Sequence, residues 1–178
     1  MTLQEIYNKY KVDGDTGSGD KGSCHSYIDI YAGLFESYRN EPIDFCEIGV
    51  SRGHSIMMWS EYFKKGYVAG LDINLKGFAF DVPKNVFLWE IDSTKHQTDI
   101  TDVYDIIIDD GDHTIEAQIK TFQNFSGLVK KGGLYIIEDV NGIDQHKNKL
   151  LSLHDNCEII DLRKIKGRFD DVLVIYRF

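Results

Sequence analysis

The stretch "DIIIDDGDHT", residues 105–114, places Asp109, Asp110, Asp112 and His113 directly after three isoleucines. A second stretch, "GGLYIIEDV" at 132–140, repeats the design and ends in Glu138 and Asp139. Carboxylates and an imidazole at the mouth of an apolar core suit the binding of a hard cation and the transfer of a proton. Neighbouring strands lie ~4.8 Å apart, so adjacent strands ending in these residues would bring Asp110, Glu138 and Asp139 to one point. Without a cation, such acids repel one another and are forced to protonate. Mg²⁺ or Mn²⁺ resolves the conflict, because either takes oxygen ligands and keeps positions open for a substrate. The sequence lacks the His and Cys cluster that zinc prefers. Alternation along a strand sends Asp109 and Asp110 to opposite faces, so Asp110 is the expected ligand. Asp109 is left either to hold a cofactor's ammonium group or to cap a turn, and Asp112 to cap or solvate the loop. His113 could take a proton from a hydroxyl held at this site, since an unperturbed imidazole titrates near ~6.5. The alternative is a histidine that caps the following helix.

Seven strand-like runs must position these groups: 44–50, 67–73, 86–92, 104–110, 133–140, 157–163 and 171–178. Most are near-continuous apolar runs, the mark of strands covered on both faces. Helical patterns lie between them. Residues 24–39 place Tyr27, Ile30, Tyr31, Leu34 and Phe35 on one face. Further helices are predicted over 55–66, over 114–133 with Thr114 as cap and a lysine–glycine stop, and more weakly over 144–155. Short spacing between the third and fourth strands leaves a reduced or irregular crossover. This alternation predicts an α/β, Rossmann-like fold: a seven-stranded, mostly parallel sheet with helices on both faces. Only "KIKGRFD" separates the last two runs, too little for a crossover helix, so the last strand is expected antiparallel. Residues 1–23 are expected to form an N-terminal segment with a glycine-rich loop, and 24–178 a single domain.

Composition narrows the function. A chain of 178 residues, 42% apolar and 12% aromatic, can bury one sizeable core. Its net charge of −9 argues against a phosphate-tracking nucleic-acid partner. Cys24, Cys46 and Cys157 are scattered and odd in number, as expected for reduced thiols of a cytosolic protein, with Cys46 a small core residue. The opening "MTLQEIYNKYKV" holds no secretory apolar run, and no stretch approaches the ~20 apolar residues of a membrane span. A soluble, cytoplasmic protein without a membrane partner is expected.

In open α/β sheets ligands bind beyond the carboxyl ends of the strands, where the strand order reverses. The first strand runs into "EIGVSRGHS", which sets Glu47, Gly49, Ser51, Gly53 and Ser55 around that crevice. The dinucleotide fingerprint fails, because Ser51 and His54 occupy its second and third glycine positions. His54 reads as a helix start. Asp72, with Ile73 beside it, closes the second strand and is a candidate for ribose hydroxyls. That role serves a nicotinamide dinucleotide or S-adenosylmethionine. Glu47 separates the two: like charges ~4 Å apart cost ~4 kcal/mol at an effective dielectric of ~20, so a pyrophosphate is penalised and a sulfonium welcomed. Asp92 and Ser93 close the third strand and could receive an adenine amino group or cap the next segment. The segment "DGDTGSGDKGS", 13–23, is either a linker or a loop that folds over a ligand with His25 behind it.

Taken in order, "EIGVSRGHSIMMWSEYF", "GLDI", "IIIDDGDHT" and "GGLYIIEDV" resemble the metal-dependent sugar O-methyltransferases of macrolide biosynthesis, which use S-adenosylmethionine and a class I methyltransferase fold. "GDKGSCHSY" is similar to that family's loop before the first helix, and the resemblance covers about residues 14 to 178. It implies that Asp110, Glu138 and Asp139 bind Mg²⁺, that His113 is the general base, and that Glu47, Gly49 and Asp72 contact the cofactor. Two departures stand out. Asp112 occupies a position where the family often carries serine, and no additional N-terminal domain is expected from the sequence. The implied reaction is O-methylation of a sugar or similar polyol. Two alternatives remain: catechol-type O-methylation, with ten tyrosines and ten phenylalanines available to line a flat pocket, and a non-catalytic S-adenosylmethionine-binding module. An NAD-linked dehydrogenase is disfavoured by Glu47. With few elements to cover the sheet mouth, a neighbouring subunit of a homo-oligomer is expected to complete the acceptor pocket.

Overall fold

A computed structural model describes residues 1–12, 19–95 and 100–178 of the chain. One sheet runs in the order β3-β2-β1-β4-β5-β7-β6. Its strands are β1 (Asp44–Ile48), β2 (Tyr67–Asp72), β3 (Val86–Glu90), β4 (Tyr104–Asp109), β5 (Val129–Ile137), β6 (Cys157–Asp161) and β7 (Val172–Arg177). Strands β1 to β5 are parallel, and β7 lies antiparallel between β5 and β6. The predicted mostly parallel sheet with a reversed last strand is therefore present.

Alternation explains why the strands read as continuous apolar runs. Phe45, Ile106, Ile108 and Ile136 face one layer, built from α1 (Leu3–Tyr10), α2 (Tyr27–Phe35) and α3 (His54–Tyr62). Their neighbours Cys46, Ile107, Tyr135 and Ile137 face the other, with α4 (Ile115–Phe125) and α5 (Ile143–Leu151). A short α6 (Arg163–Lys166) interrupts the β6–β7 connection. Among the described residues no helix lies between β3 and β4, and no helix is long and apolar enough to cross a membrane. All three cysteines are free thiols.

Several boundaries differ from expectation. The helix predicted over 114–133 ends at Phe125, a 3-10 turn covers Ser126–Leu128, and β5 begins at Val129. Lys130 accompanies the change: its ammonium donates to Asp44 at 2.6 Å and Asp105 at 2.8 Å, tying this stretch to the starts of β1 and β4. The lysine–glycine pair that reads as a helix stop is thus part of a bulged strand, in which Gly132 takes a φ of 84°. Within the N-terminal segment expected over 1–23, α1 forms behind a Thr2–Glu5 capping box. It buries Leu3, Ile6 and Tyr7 in the same core as α2 and α3. Residues 13–18 of the glycine-rich stretch lie outside the described residues.

Candidate functional site

The crevice forms where the chain leaves β1 to one side for β2 and to the other for β4. A cavity of ≈ 590 Å³ opens there, within the range usual for small-molecule sites. Its walls come from the ends of five strands: Gly49 and Ser51, Asp72 and Ile73, Asp92 and Ser93, Asp110 to His113, and Asp139. Gly19, Asp20 and Lys21 close it from the glycine-rich side.

Two local devices shape the half next to β1. The Asp72 carboxylate accepts the backbone N–H groups of Val50 and Ser51, each at 2.8 Å, which fixes the turn after β1. Gly49 has a φ of 92°, and a Cβ added there would stand 2.0 Å from the carbonyl oxygen of Asp110. Only glycine lets the β1 turn press so closely on the end of β4.

Strand parity builds the acidic half. Glu47, Asp110 and Glu138 continue the alternation of Phe45, Ile108 and Ile136, so all three turn to the α2–α3 side. There the Lys21 ammonium, 3% exposed, lies 2.6 Å from Glu138, 2.7 Å from Asp110 and 3.2 Å from Glu47. The Tyr31 phenol donates to the other Glu138 oxygen at 2.6 Å. Asp139 follows with a φ of 53°, a strained conformation for a residue with a side chain. Tyr27 holds it there, donating to Asp139 Oδ1 at 2.8 Å and accepting its backbone N–H at 3.2 Å. Asp139 Oδ2 meets His113 Nδ1 at 3.2 Å, while His113 Nε2 stands 3.9 Å from Asp110 Oδ1.

Burial and crowding shift the titrations. Asp110 is pushed up to about 7, by burial first and then by Asp139 and Glu47, against the opposing pull of Lys21. Burial likewise pushes Glu138 up. Burial also works to raise Asp139, but the His113 hydrogen bond and the nearby imidazoles hold it below its usual range. The same hydrogen bond raises His113 to about 9 despite partial burial. Asp110, His113 and Asp139 offer ligand atoms that all lie within 4.8 Å of one another. A hard, divalent ion fits this set of oxygen and imidazole donors.

The structure sorts the candidate residues. Gly49, Ser51, Ser55, Asp72, Ile73, Asp92, Ser93, Asp110, His113 and Asp139 share the cavity wall. Glu47 does not: it is fully buried and spent on Ser55 at 2.7 Å, Trp59 at 3.3 Å and Lys21. The carboxylate on which the charge argument for a cationic cofactor rested thus has an internal cation, Lys21, as its partner. Asp109 faces the α4 side, where it caps the Gly111 N–H and meets Tyr135, so the turn-capping alternative describes it. His25 is buried, stacked on Tyr27 and 3.2 Å from Asp139. Gly53 starts α3 in a left-handed conformation under Phe78. Glu138 reaches the cluster from below, through Lys21. Sequence reasoning missed Lys21, Tyr27 and Tyr31. The tyrosines carried a signal, four apart on one helix face, but that spacing equally describes plain core residues. Lys21, in a low-complexity stretch, carried none.

No protein-family model matches the chain. Over 129 residues it is 33% identical to demethylmacrocin O-methyltransferase of Streptomyces fradiae, a match covering 67% of this chain and 33% of that enzyme. It is 30% identical over 131 residues to 8-demethyl-8-alpha-L-rhamnosyl tetracenomycin-C 2'-O-methyltransferase of Streptomyces olivaceus, covering 68% and 35%. The chain thus spans about a third of the length of the curated relatives it matches. Among solved structures, MycE methyltransferase from the mycinamycin biosynthetic pathway, in complex with Mg and SAH, superposes with a TM-score of 0.76 at 22% identity, covering 99% of this chain and 55% of that one. A complex of the same enzyme that also holds mycinamycin VI gives 0.74 at 22% identity, covering 99% and 54%. In sequence the chain is similar to these O-methyltransferases, and its fold is the Rossmann-like fold of methyltransferases.

Proposed function

We propose that the chain carries an S-adenosylmethionine- and Mg²⁺-dependent O-methyltransferase centre acting on a hydroxyl of a sugar or glycosylated small molecule. The observation that carries this reading is a single cavity that joins the β1–β2 turn to the Asp110–His113–Asp139 cluster. The names of the relatives supply the donor and the acceptor class.

In this reading Asp72 receives the ribose of the donor, Asp92 and Ser93 its base, and the Gly49 turn its methionine end. Asp110, Glu138 and Asp139 hold the divalent ion. When bound, that ion supplies Lewis acidity toward the acceptor hydroxyl. His113 has its Nδ1 tied to Asp139, which leaves Nε2 to receive the hydroxyl proton. When bound, the donor would supply a sulfonium methyl group to the acceptor oxygen and be left as a neutral thioether. Holding both reactants in line in one cavity supplies much of the acceleration. His113, raised by Asp139 in the metal-free site, would lie closer to the range where a base works at neutral pH with a cation held by Asp110 and Asp139. Tyr27 and Tyr31 fix the carboxylates that must not swing. A homo-oligomer that covers the sheet mouth belongs to the same proposal.

The test is methyl transfer to a panel of rhamnosides and other glycosides, with a catechol as control, each with and without EDTA. Transfer to a glycoside that EDTA abolishes and Mg²⁺ restores supports the reading. Metal-independent turnover, preference for the catechol, or full activity in His113→Ala overturns it.

A further inference from the structure

Among the described residues, Lys21 is the one buried ammonium that the proposed chemistry leaves without a task. It is 3% exposed and makes ion pairs with Glu138, Asp110 and Glu47 at 2.6, 2.7 and 3.2 Å. Both Glu138 oxygens are taken, one by this ammonium and the other by Tyr31. Asp110 gives Oδ2 to Lys21 and keeps only Oδ1 toward His113. A divalent ion that used Asp110, Glu138 and Asp139 together could take Asp110 Oδ1, but it would need a Glu138 oxygen that Lys21 or Tyr31 now holds.

The backbone around Lys21 is fixed. Lys166 donates to the carbonyls of Gly22 at 2.6 Å, Ser23 at 3.2 Å and His25 at 2.6 Å, and the Asp20 carbonyl accepts the N–H groups of Cys24 and His25 at 3.0 Å. The freedom lies in the side chain, a flexible four-carbon stem whose residue also lines the open cavity.

From this geometry we infer that Lys21 is a place-holding cation. Its ammonium neutralises Glu138 and Asp110 when no metal is bound, and it must leave them before they take a divalent ion. The inference rests on the metal-centre reading above and adds a competitor to it. Exchange of one positive group for another keeps the buried acids paired in both states. It also sets the metal affinity below what the bare acids would give, because binding must first break the lysine's ion pairs.

Calorimetric titration of MgCl₂, and of MnCl₂ read by electron paramagnetic resonance, into wild type and Lys21→Met tests this without donor or acceptor. Methionine keeps the stem and removes the charge. The variant is expected to bind either ion about tenfold tighter or more, since at least one close charge–charge contact no longer competes. Equal or weaker binding in the variant, with clear binding in wild type, overturns the inference and leaves the metal centre standing. Absence of binding in both proteins removes the metal centre and the inference with it. A second measurement needs no variant: acetylation of Lys21 in wild type, followed by mass spectrometry. The locked ammonium should react slowly in EDTA and at least several-fold faster in saturating Mg²⁺. A rate that Mg²⁺ leaves unchanged refutes displacement.

Discussion

Gly49 is the point at which the two halves of the cavity touch, and replacing it with alanine tests whether that contact holds the site together. The cost has two parts. At a φ of 92° a residue with a Cβ is strained, by ~1–2 kcal/mol. The new carbon would also lie 2.0 Å from the Asp110 carbonyl oxygen, 2.4 Å from its carbon and 2.8 Å from the Gly111 nitrogen. These are backbone atoms and cannot rotate away, so the end of β4 must retreat by ~1 Å, an overpacking cost of ~1–3 kcal/mol. The sum, ~2–5 kcal/mol, is a large fraction of the ~5–15 kcal/mol that stabilises a domain. For a chain of this size it corresponds to a fall in Tm of ~4–20 °C. Because the displaced atoms belong to Asp110, Mg²⁺ and donor affinity should fall together. Thermal melts with calorimetric titration of both ligands provide the assay. A Tm within ~2 °C of wild type with unchanged affinities would show that the β1 turn and β4 are not coupled through this glycine.

Other perturbations reach different parts of the same site. Tyr31→Phe removes the phenol that donates to Glu138 at 2.6 Å and should cost ~1–3 kcal/mol in urea denaturation, with a drop in methyl transfer larger than the loss of donor affinity. In metal-free protein the His113 ring should titrate near about 9 by NMR, because Asp139 favours its charged form. Asp139→Asn should return it toward ~6.5. The folded pKa is raised, so the stabilisation is complete below the unfolded value and disappears as pH rises through about 9; with the side chain 44% exposed, screening keeps it near ~1 kcal/mol. Lys166→Met abolishes donation to the carbonyls of Gly22, Ser23 and His25 and should speed amide hydrogen exchange across 20–25 while leaving β1 and β4 unchanged.

The sheet was legible because its chemistry is repetitive. Runs such as Ile106–Ile107–Ile108 feed both layers, and the short β6–β7 gap dictated reversal. Asp72 and the Asp110–His113–Asp139 group were legible for a related reason: they stand where strands end, and strand ends in such a sheet converge. Two kinds of feature were hidden. Lys130 ties the first residues of β5 to Asp44 and Asp105, residues 86 and 25 positions away, so no local pattern could reveal that the strand predicted from 133 starts at Val129. Glu47 was assigned to the crevice from its nearness to Gly49, although alternation with Phe45 already pointed it under α3. Lys21 was hidden for both reasons, since its partners are remote and its own neighbourhood is a glycine-rich stretch with no periodicity to read.

Parity also explains why the acids cannot stand alone. Glu47, Asp110 and Glu138 share one face on adjacent strands, so the architecture buries them together whatever chemistry follows, and a single lysine from a loop is the charge that permits it. Removing one partner from a buried ionic cluster costs ~3–5 kcal/mol, since the remaining charges lose their compensation. Lys21→Met should therefore melt ~6–20 °C below wild type in EDTA. A dication that takes over the same carboxylates restores compensation, so saturating Mg²⁺ should narrow that gap by at least half. A gap of equal size with and without Mg²⁺ would mean that the lysine and the metal answer to different acids.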